Sequence, residues 1–213
     1  MDMHVSTPWP WTVILPIKGG SQAKTRLAAL GERRRVVAAA VAADTITAVA
    51  GSSRVARIIV VTADDDVRAM ADRFGAFAVA DPGRGLNEAV TAALQTAPSH
   101  RPSAVLLADV PAVWPDDIAA ALDACAAALA DGATRAVVPD AQGEGTVLLA
   151  AAYPAAVRPN FGLGSAHRHM AGGAVVLDVA LPRLRRDVDT PEDLAAALDL
   201  GAGQATREAA ACG

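Results

Sequence analysis

Aromatic side chains are scarce in this chain. Only 3% of its 213 residues are Phe, Trp or Tyr, against 53% hydrophobic overall. The interior must therefore be filled by Ala, Val, Leu and Ile, which suits alanine-rich helices packed on valine-rich strands. Cysteine is nearly missing too. Cys125 lies in an Ala-rich helical stretch and Cys212 at the far end, which argues against a disulfide framework or a thiolate metal site and marks Cys125 as a buried, inert thiol. No apolar run approaches the ~18 to 20 residues that cross a bilayer. The first ten residues also lack the basic-then-apolar order of a secretory signal, so the chain is read as cytoplasmic with no membrane partner. Net charge is -4, and the one basic run, Arg33-Arg34-Arg35, reads as an exposed helix face; no nucleic-acid partner is expected. Neither Gly-x-x-x-x-Gly-Lys-Ser/Thr nor Gly-x-Gly-x-x-Gly occurs, which argues against a P-loop ATPase and a Rossmann dehydrogenase.

What is present alternates. Val13 to Ile17 reads as a strand that delivers Lys18, Gly19, Gly20, Ser21 and Gln22, before Lys24 and Arg26 appear where a helix could begin. Glycines let backbone N–H groups approach a ligand closely, and two or three cations suit a polyphosphate. Taken alone, the same residues also make an ordinary turn with a solvated face. Beyond them, helical patterns cover Arg33 to Ala50, Asp65 to Phe74, a stretch opening at Leu86, 115–130 and Ser165 to Gly172. A last helix runs to about Leu200 from the cap Thr190-Pro191-Glu192-Asp193. Strand patterns fall at Val55 to Val61, Ala76 to Ala80, Ser103 to Ala108, Arg135 to Pro139, Gly145 to Ala152, Ala174 to Val179 and Leu184 to Val188. The length suits one domain. Strands alternating with helices predict an α/β fold with a mostly parallel central sheet flanked by helices. Residues 1–10 read as a flexible arm, 11–200 as the folded domain, and 201–213, which lack apolar periodicity, as a disordered tail. Oligomeric state stays open, a homodimer included.

In such sheets, ligands bind beyond the carboxyl ends of the strands. Asp109 stands there, after an apolar strand and before Pro111. Asp187 and Asp189 flank Val188, and alternation along an extended segment puts both carboxylates on one side. Two such charges repel unless a cation relieves them, and hard oxygen ligands indicate Mg²⁺ rather than zinc. Asp64-Asp65-Asp66 is read instead as a helix cap. Asn87, near a helix start, either caps or contacts a base or ribose. The turn Gly162-Leu163-Gly164-Ser165 reads as a second phosphate cradle. His167 and His169 point to different faces of a helix, which argues against a zinc site. Cations at one strand end and carboxylates at two others are together what nucleotidyl transfer needs.

Several motifs in order carry a resemblance: Pro16-Ile17-Lys18 with Ala23-Lys24-Thr25-Arg26-Leu27, Gly85-Leu86-Asn87, Ala108-Asp109-Val110-Pro111, Val138-Pro139-Asp140 with Gly143-Glu144-Gly145-Thr146, Phe161-Gly162 with Gly164-Ser165 and His169, and Asp187-Val188-Asp189-Thr190-Pro191. From about Val13 to Leu198 the chain resembles the 2-phospho-L-lactate guanylyltransferase family of coenzyme F420 biosynthesis, whose actinobacterial branch is described as phosphoenolpyruvate guanylyltransferase. The resemblance implies a Rossmann-like nucleotidyltransferase fold. It also implies transfer of GMP from GTP to the phosphate of phosphoenolpyruvate, 2-phospholactate or 3-phosphoglycerate. By that likeness Lys18, Gly19, Lys24 and Arg26 hold the triphosphate, and Asn87 lies near the nucleoside. Asp109, Asp187 and Asp189 hold Mg²⁺, and Thr146, Gly162 and Ser165 cradle the phospho-acid. Two departures are Val110, where leucine is common, and the particular loop Gly19-Gly20-Ser21-Gln22. The competing readings are a nucleotidyltransferase acting on molybdopterin or a sugar phosphate, and a non-catalytic nucleotide-binding protein.

Overall fold

The computed structural model describes residues 10–19, 27, 31 and 33–211. Within them the chain runs β1 (Trp11–Pro16), α1 (Arg33–Gly51), β2 (Val55–Thr62), α2 (Asp65–Arg73), β3 (Phe77–Ala80), α3 (Leu86–Thr96) and β4 (Ser103–Leu106). It continues with α4 (Pro115–Ala130), β5 (Arg135–Pro139), β6 (Thr146–Ala151), α5 (Ser165–Ala171), β7 (Ala174–Val176), α6 (Pro182–Arg185), α7 (Pro191–Asp199) and α8 (Gln204–Ala211).

The strands form one sheet in the order β3-β2-β1-β4-β6-β5-β7. All neighbours pair in parallel except β6, which is antiparallel to both β4 and β5. Because β6 runs backwards, its first residue, Thr146, pairs with Pro139 at the end of β5. Thr146 is thereby brought to the edge of the sheet where the parallel strands finish, the edge that in open α/β folds carries ligands.

Both faces of the sheet are covered, so the strands are apolar on alternate and intervening positions alike. Val13, Leu15, Val60, Leu106, Val138 and Leu148 join one core with side chains of α1, α2 and α4. Ile14, Ile59, Val61, Val105, Val137 and Leu149 join another with Ala89, Val90, Ala93 and Leu94 of α3. Cys125 is fully buried in the first core, where burial pushes its thiol up to about 12, as expected of an inert cysteine.

Two expectations from sequence are corrected. The first concerns 201–213, read as a disordered tail, where Gln204–Ala211 is instead a helix. Its packing face is made of Thr206 and Ala209, too small to print an apolar stripe, and both its ends are held by α1. The Asp44 carboxylate accepts the N–H groups of Ala205 (3.2 Å) and Thr206 (2.7 Å), while Arg33 donates to the carbonyls of Ala209 (3.2 Å) and Ala210 (2.9 Å). These are opposite charges at the two dipole ends where each is favourable. The second concerns Leu184 to Val188, read as a strand. Pro182 opens a helical turn there, and the Arg185 side chain donates to the carbonyls of Pro139 and Asp140. The arm at residues 1–9 lies outside the described residues.

Candidate active site

Lys18 is carried past the sheet edge by one extra ladder step, in which Ile17 N–H donates to Val61 O at 3.0 Å. Gly19 follows against the side chain of Asp64, which fills the space a Cβ would take. Asp64 caps α2 as expected: its Oδ1 accepts from the N–H groups of Asp66 (2.9 Å) and Val67 (3.1 Å). Lys24 and Arg26 lie outside the described residues. Sequence reasoning missed one cation nearby. Arg35, assigned to a solvated face, lines a hollow of about 500 Å³ together with Lys18, Gly19 and Asp66.

Asp109 follows β4 and stands in the wall of two cavities. One, of about 300 Å³, is lined by Lys18, Asp81 and Ala108 as well. The other, of about 540 Å³, is lined by Asp187, Asp189, Thr146, Gly162 and Ser165. Leu86, Leu107 and Asp109 belong to both. The Asp187–Asp189 segment is fixed by its own backbone rather than by a strand. Val188 N–H donates to Asp109 O at 2.9 Å and its side chain is fully buried, which leaves the two flanking carboxylates on the cavity side. Asp193, the partner of Thr190 in a capping box, also accepts the Asp189 N–H (3.2 Å) through Oδ2 and so holds that turn.

Among the described residues, no three carboxylate, imidazole or thiolate groups converge tightly enough to form a metal cage. Asp109, Asp187 and Asp189 offer hard oxygens around one cavity. That fits a Mg²⁺ site in which one or two carboxylates act with phosphate oxygens and water.

On the opposite wall, Thr146 Oγ1 lies 2.9 Å from His169 Nδ1 and receives Ser165 Oγ–H at 3.1 Å. The sequence predicts that backbone N–H groups of the Gly162–Ser165 turn and the Ser165 hydroxyl form a cradle; one N–H of that turn, and the one that follows it, are already engaged. Ser165 N–H donates to Gly162 O (3.0 Å) and Ala166 N–H to Glu144 O (2.9 Å). The Thr146 and Ser165 side chains belong to the same wall. Asn87 braces a loop. Its carboxamide donates to Phe161 O (3.2 Å) and accepts Phe161 N–H (2.7 Å), pinning residues 160–162 to α3. Its neighbour Leu86, not Asn87, lines the two cavities.

The sequence alone assigns His169 no role. It is buried, edge-on to Phe161 with centroids 5.2 Å apart, and its pKa is lowered to about 4 by burial first and by the charges of Arg168 and Arg135 next. His167, two residues earlier, is exposed. The signal that would have found His169 is its spacing from Ser165, four residues along the same helix face.

Solved structures share this arrangement of sheet and helices. A nucleotidyl transferase from Methanothermobacter has the same fold, with a TM-score of 0.64 at 17% identity over 89% of this chain and 96% of its own. So does a CMP:2-keto-3-deoxy-manno-octonic acid synthetase complexed with CTP, with a TM-score of 0.55 at 14% identity over 90% and 98%. Sequence narrows the class. The profile of the family described as "Guanylyl transferase CofC like" matches residues 11–210, and the chain belongs to that family. A phosphoenolpyruvate guanylyltransferase of Geodermatophilus obscurus is 46% identical over 205 residues, covering 92% of each chain. One of Thermomonospora curvata is 44% identical over 207 residues, covering 94% of this chain and 89% of its own.

Proposed function

We propose that this guanylyl transferase moves GMP from GTP to the phosphate of phosphoenolpyruvate, with release of pyrophosphate. The observation that carries the reading is the position of Asp109, shared by a cavity that holds Lys18 and a cavity walled by Asp187, Asp189, Thr146 and Ser165. Two anionic reactants need such an arrangement, in which each has its own chamber and both meet one carboxylate. The relatives named phosphoenolpyruvate guanylyltransferase support the choice of acceptor.

In this reading Lys18 neutralises triphosphate oxygens, with Lys24 and Arg26, close by in the sequence, as further cations. A phosphate monoester is already largely dianionic at neutral pH, its second pKa being about 6, so its oxygen attacks without a covalent nucleophile or a strong base. The bond from that oxygen to the α-phosphorus forms while the bridge to the β-phosphate breaks, and pyrophosphate leaves with the electron pair. Asp109, Asp187 and Asp189 would hold Mg²⁺, which supplies charge neutralisation to the phosphates. Thr146, Gly162 and Ser165 receive the acceptor. Positioning and charge stabilisation account for the rate.

The test is pyrophosphate release from GTP and Mg²⁺, with phosphoenolpyruvate, 2-phospholactate or 3-phosphoglycerate offered separately. Release with phosphoenolpyruvate in preference to the other two is expected; no release with any of them sinks the proposal.

A further inference from the structure

His169 lines neither cavity, yet both of its ring nitrogens are committed. Asn160 N–H donates to Nε2 at 3.0 Å. A main-chain N–H is only ever a donor, so Nε2 carries no proton, and the neutral ring must bear it on Nδ1. Nδ1–H therefore donates to Thr146 Oγ1, 2.9 Å away. The same oxygen also accepts Ser165 Oγ–H at 3.1 Å. A hydroxyl has two acceptor lone pairs and one proton. With both lone pairs filled from behind, the Thr146 proton has only the cavity left to point into.

We infer that His169 is a positioning residue that locks the Thr146 hydroxyl as a hydrogen-bond donor toward the anionic acceptor bound in the cavity of Asp187 and Asp189. The lock has a mounting. Phe161 packs edge-on against the imidazole, and the Asn87 carboxamide holds the Phe161 main chain. The loop that supplies the Asn160 N–H is thus fixed to α3. Burial, with the guanidinium groups of Arg168 and Arg135 nearby, keeps the ring neutral at physiological pH. A charged ring would present an Nε2–H to the Asn160 N–H, donor against donor, and the relay would come apart. The inference rests on the proposed acceptor chemistry for its kinetic consequence, but its geometry stands apart from it.

Two measurements separate the parts. In the native protein, ring ¹⁵N shifts at neutral pH, assigned by loss of the signal in His169→Gln, should report a protonated Nδ1 and a bare Nε2; the reverse tautomer overturns the inference, whatever the enzyme turns over. In steady-state kinetics, His169→Leu should raise KM for phosphoenolpyruvate about tenfold and leave KM for GTP within about twofold, the loss expected for one charged hydrogen bond at one substrate. His169→Asn retains an amide donor at the Nδ1 position and should recover most of that loss. In a Thr146→Val background His169→Leu should add nothing further. Equal losses for both substrates, or full additivity with Thr146→Val, would overturn it. Should the leucine variant fail to fold, the asparagine variant and the tautomer carry the decision. If the native enzyme releases no pyrophosphate with any phospho-acid, the proposed function falls while the tautomer measurement still decides the lock.

Discussion

Asp189 is held in place through main-chain contacts of its own turn. Its N–H is held by Asp193 at 3.2 Å, its preceding residue is buried, and that residue's N–H is held by Asp109 O. Replacing Asp189 by Asn leaves these main-chain contacts in place and removes the charge of the side chain. Turnover should fall by about a hundredfold or more, the scale for losing one transition-state charge contact, with the fold retained; unaltered turnover would take Asp189 out of the proposed Mg²⁺ site. At this scale the sequence was partly legible. Asp109, Asp187, Asp189, Thr146, Gly162 and Ser165 do line one cavity, because each sits at a strand end or turn whose direction can be read from alternation. Asn87 and His169 were not legible. Their partners are main-chain groups of 160–161 and a hydroxyl at 146, contacts that no local pattern encodes.

Among the elements, α8 is the one that sequence reasoning lost, and the reason is physical. A helix of eight residues is marginal by itself, and this one rests on alanines and a buried threonine rather than on large apolar side chains. Its stability is borrowed from α1, through the Asp44 carboxylate at one end and the Arg33 guanidinium at the other. Gly203 N–H is tied to Pro111 O at 2.8 Å, and Asp44 packs where a Cβ on that glycine would lie. Asp44→Ala should therefore cost about 1 to 2 kcal/mol, as for a lost helix cap, and accelerate amide exchange in 204–211 before the rest of the chain. Unchanged exchange there would show that α8 holds without its cap. The strand expected at Leu184 to Val188 failed for a related reason. Period-two alternation at Asp187-Val188-Asp189 is real, but it comes from docking onto Asp109 O rather than from membership of the sheet.

For the whole molecule, the order of strands and helices followed directly from apolar runs punctuated by turns, and the mostly parallel sheet followed from their alternation. The reversal of β6 did not. Nothing in Thr146–Ala151, buried on both faces, distinguishes an antiparallel strand from a parallel one. The buried imidazole also gives the fold a pH dependence. His169 titrates at about 4 when folded and near 6.5 when free, so as pH falls the unfolded chain takes up the proton first. Its contribution to stability is complete above about pH 6.5 and drains away between 6.5 and 4. Thermal melting of the native protein and of His169→Gln should then be furthest apart near neutrality and converge on acidification; a constant gap would rule out a neutral buried ring.

The backward run of β6 has an evolutionary consequence. One side of the site hangs on β1, β2 and β4, which enter it by their ends, whereas the other hangs on β6, which enters it by its beginning, and on the loops around α5. The two sides share Leu86, Leu107 and Asp109 but little else of their walls. Insertions or exchanges in the 140–146 turn can reshape one chamber while the frame of the other stays still. Descendants of such a scaffold are free to trade one partner molecule for another without rebuilding the grip on the first.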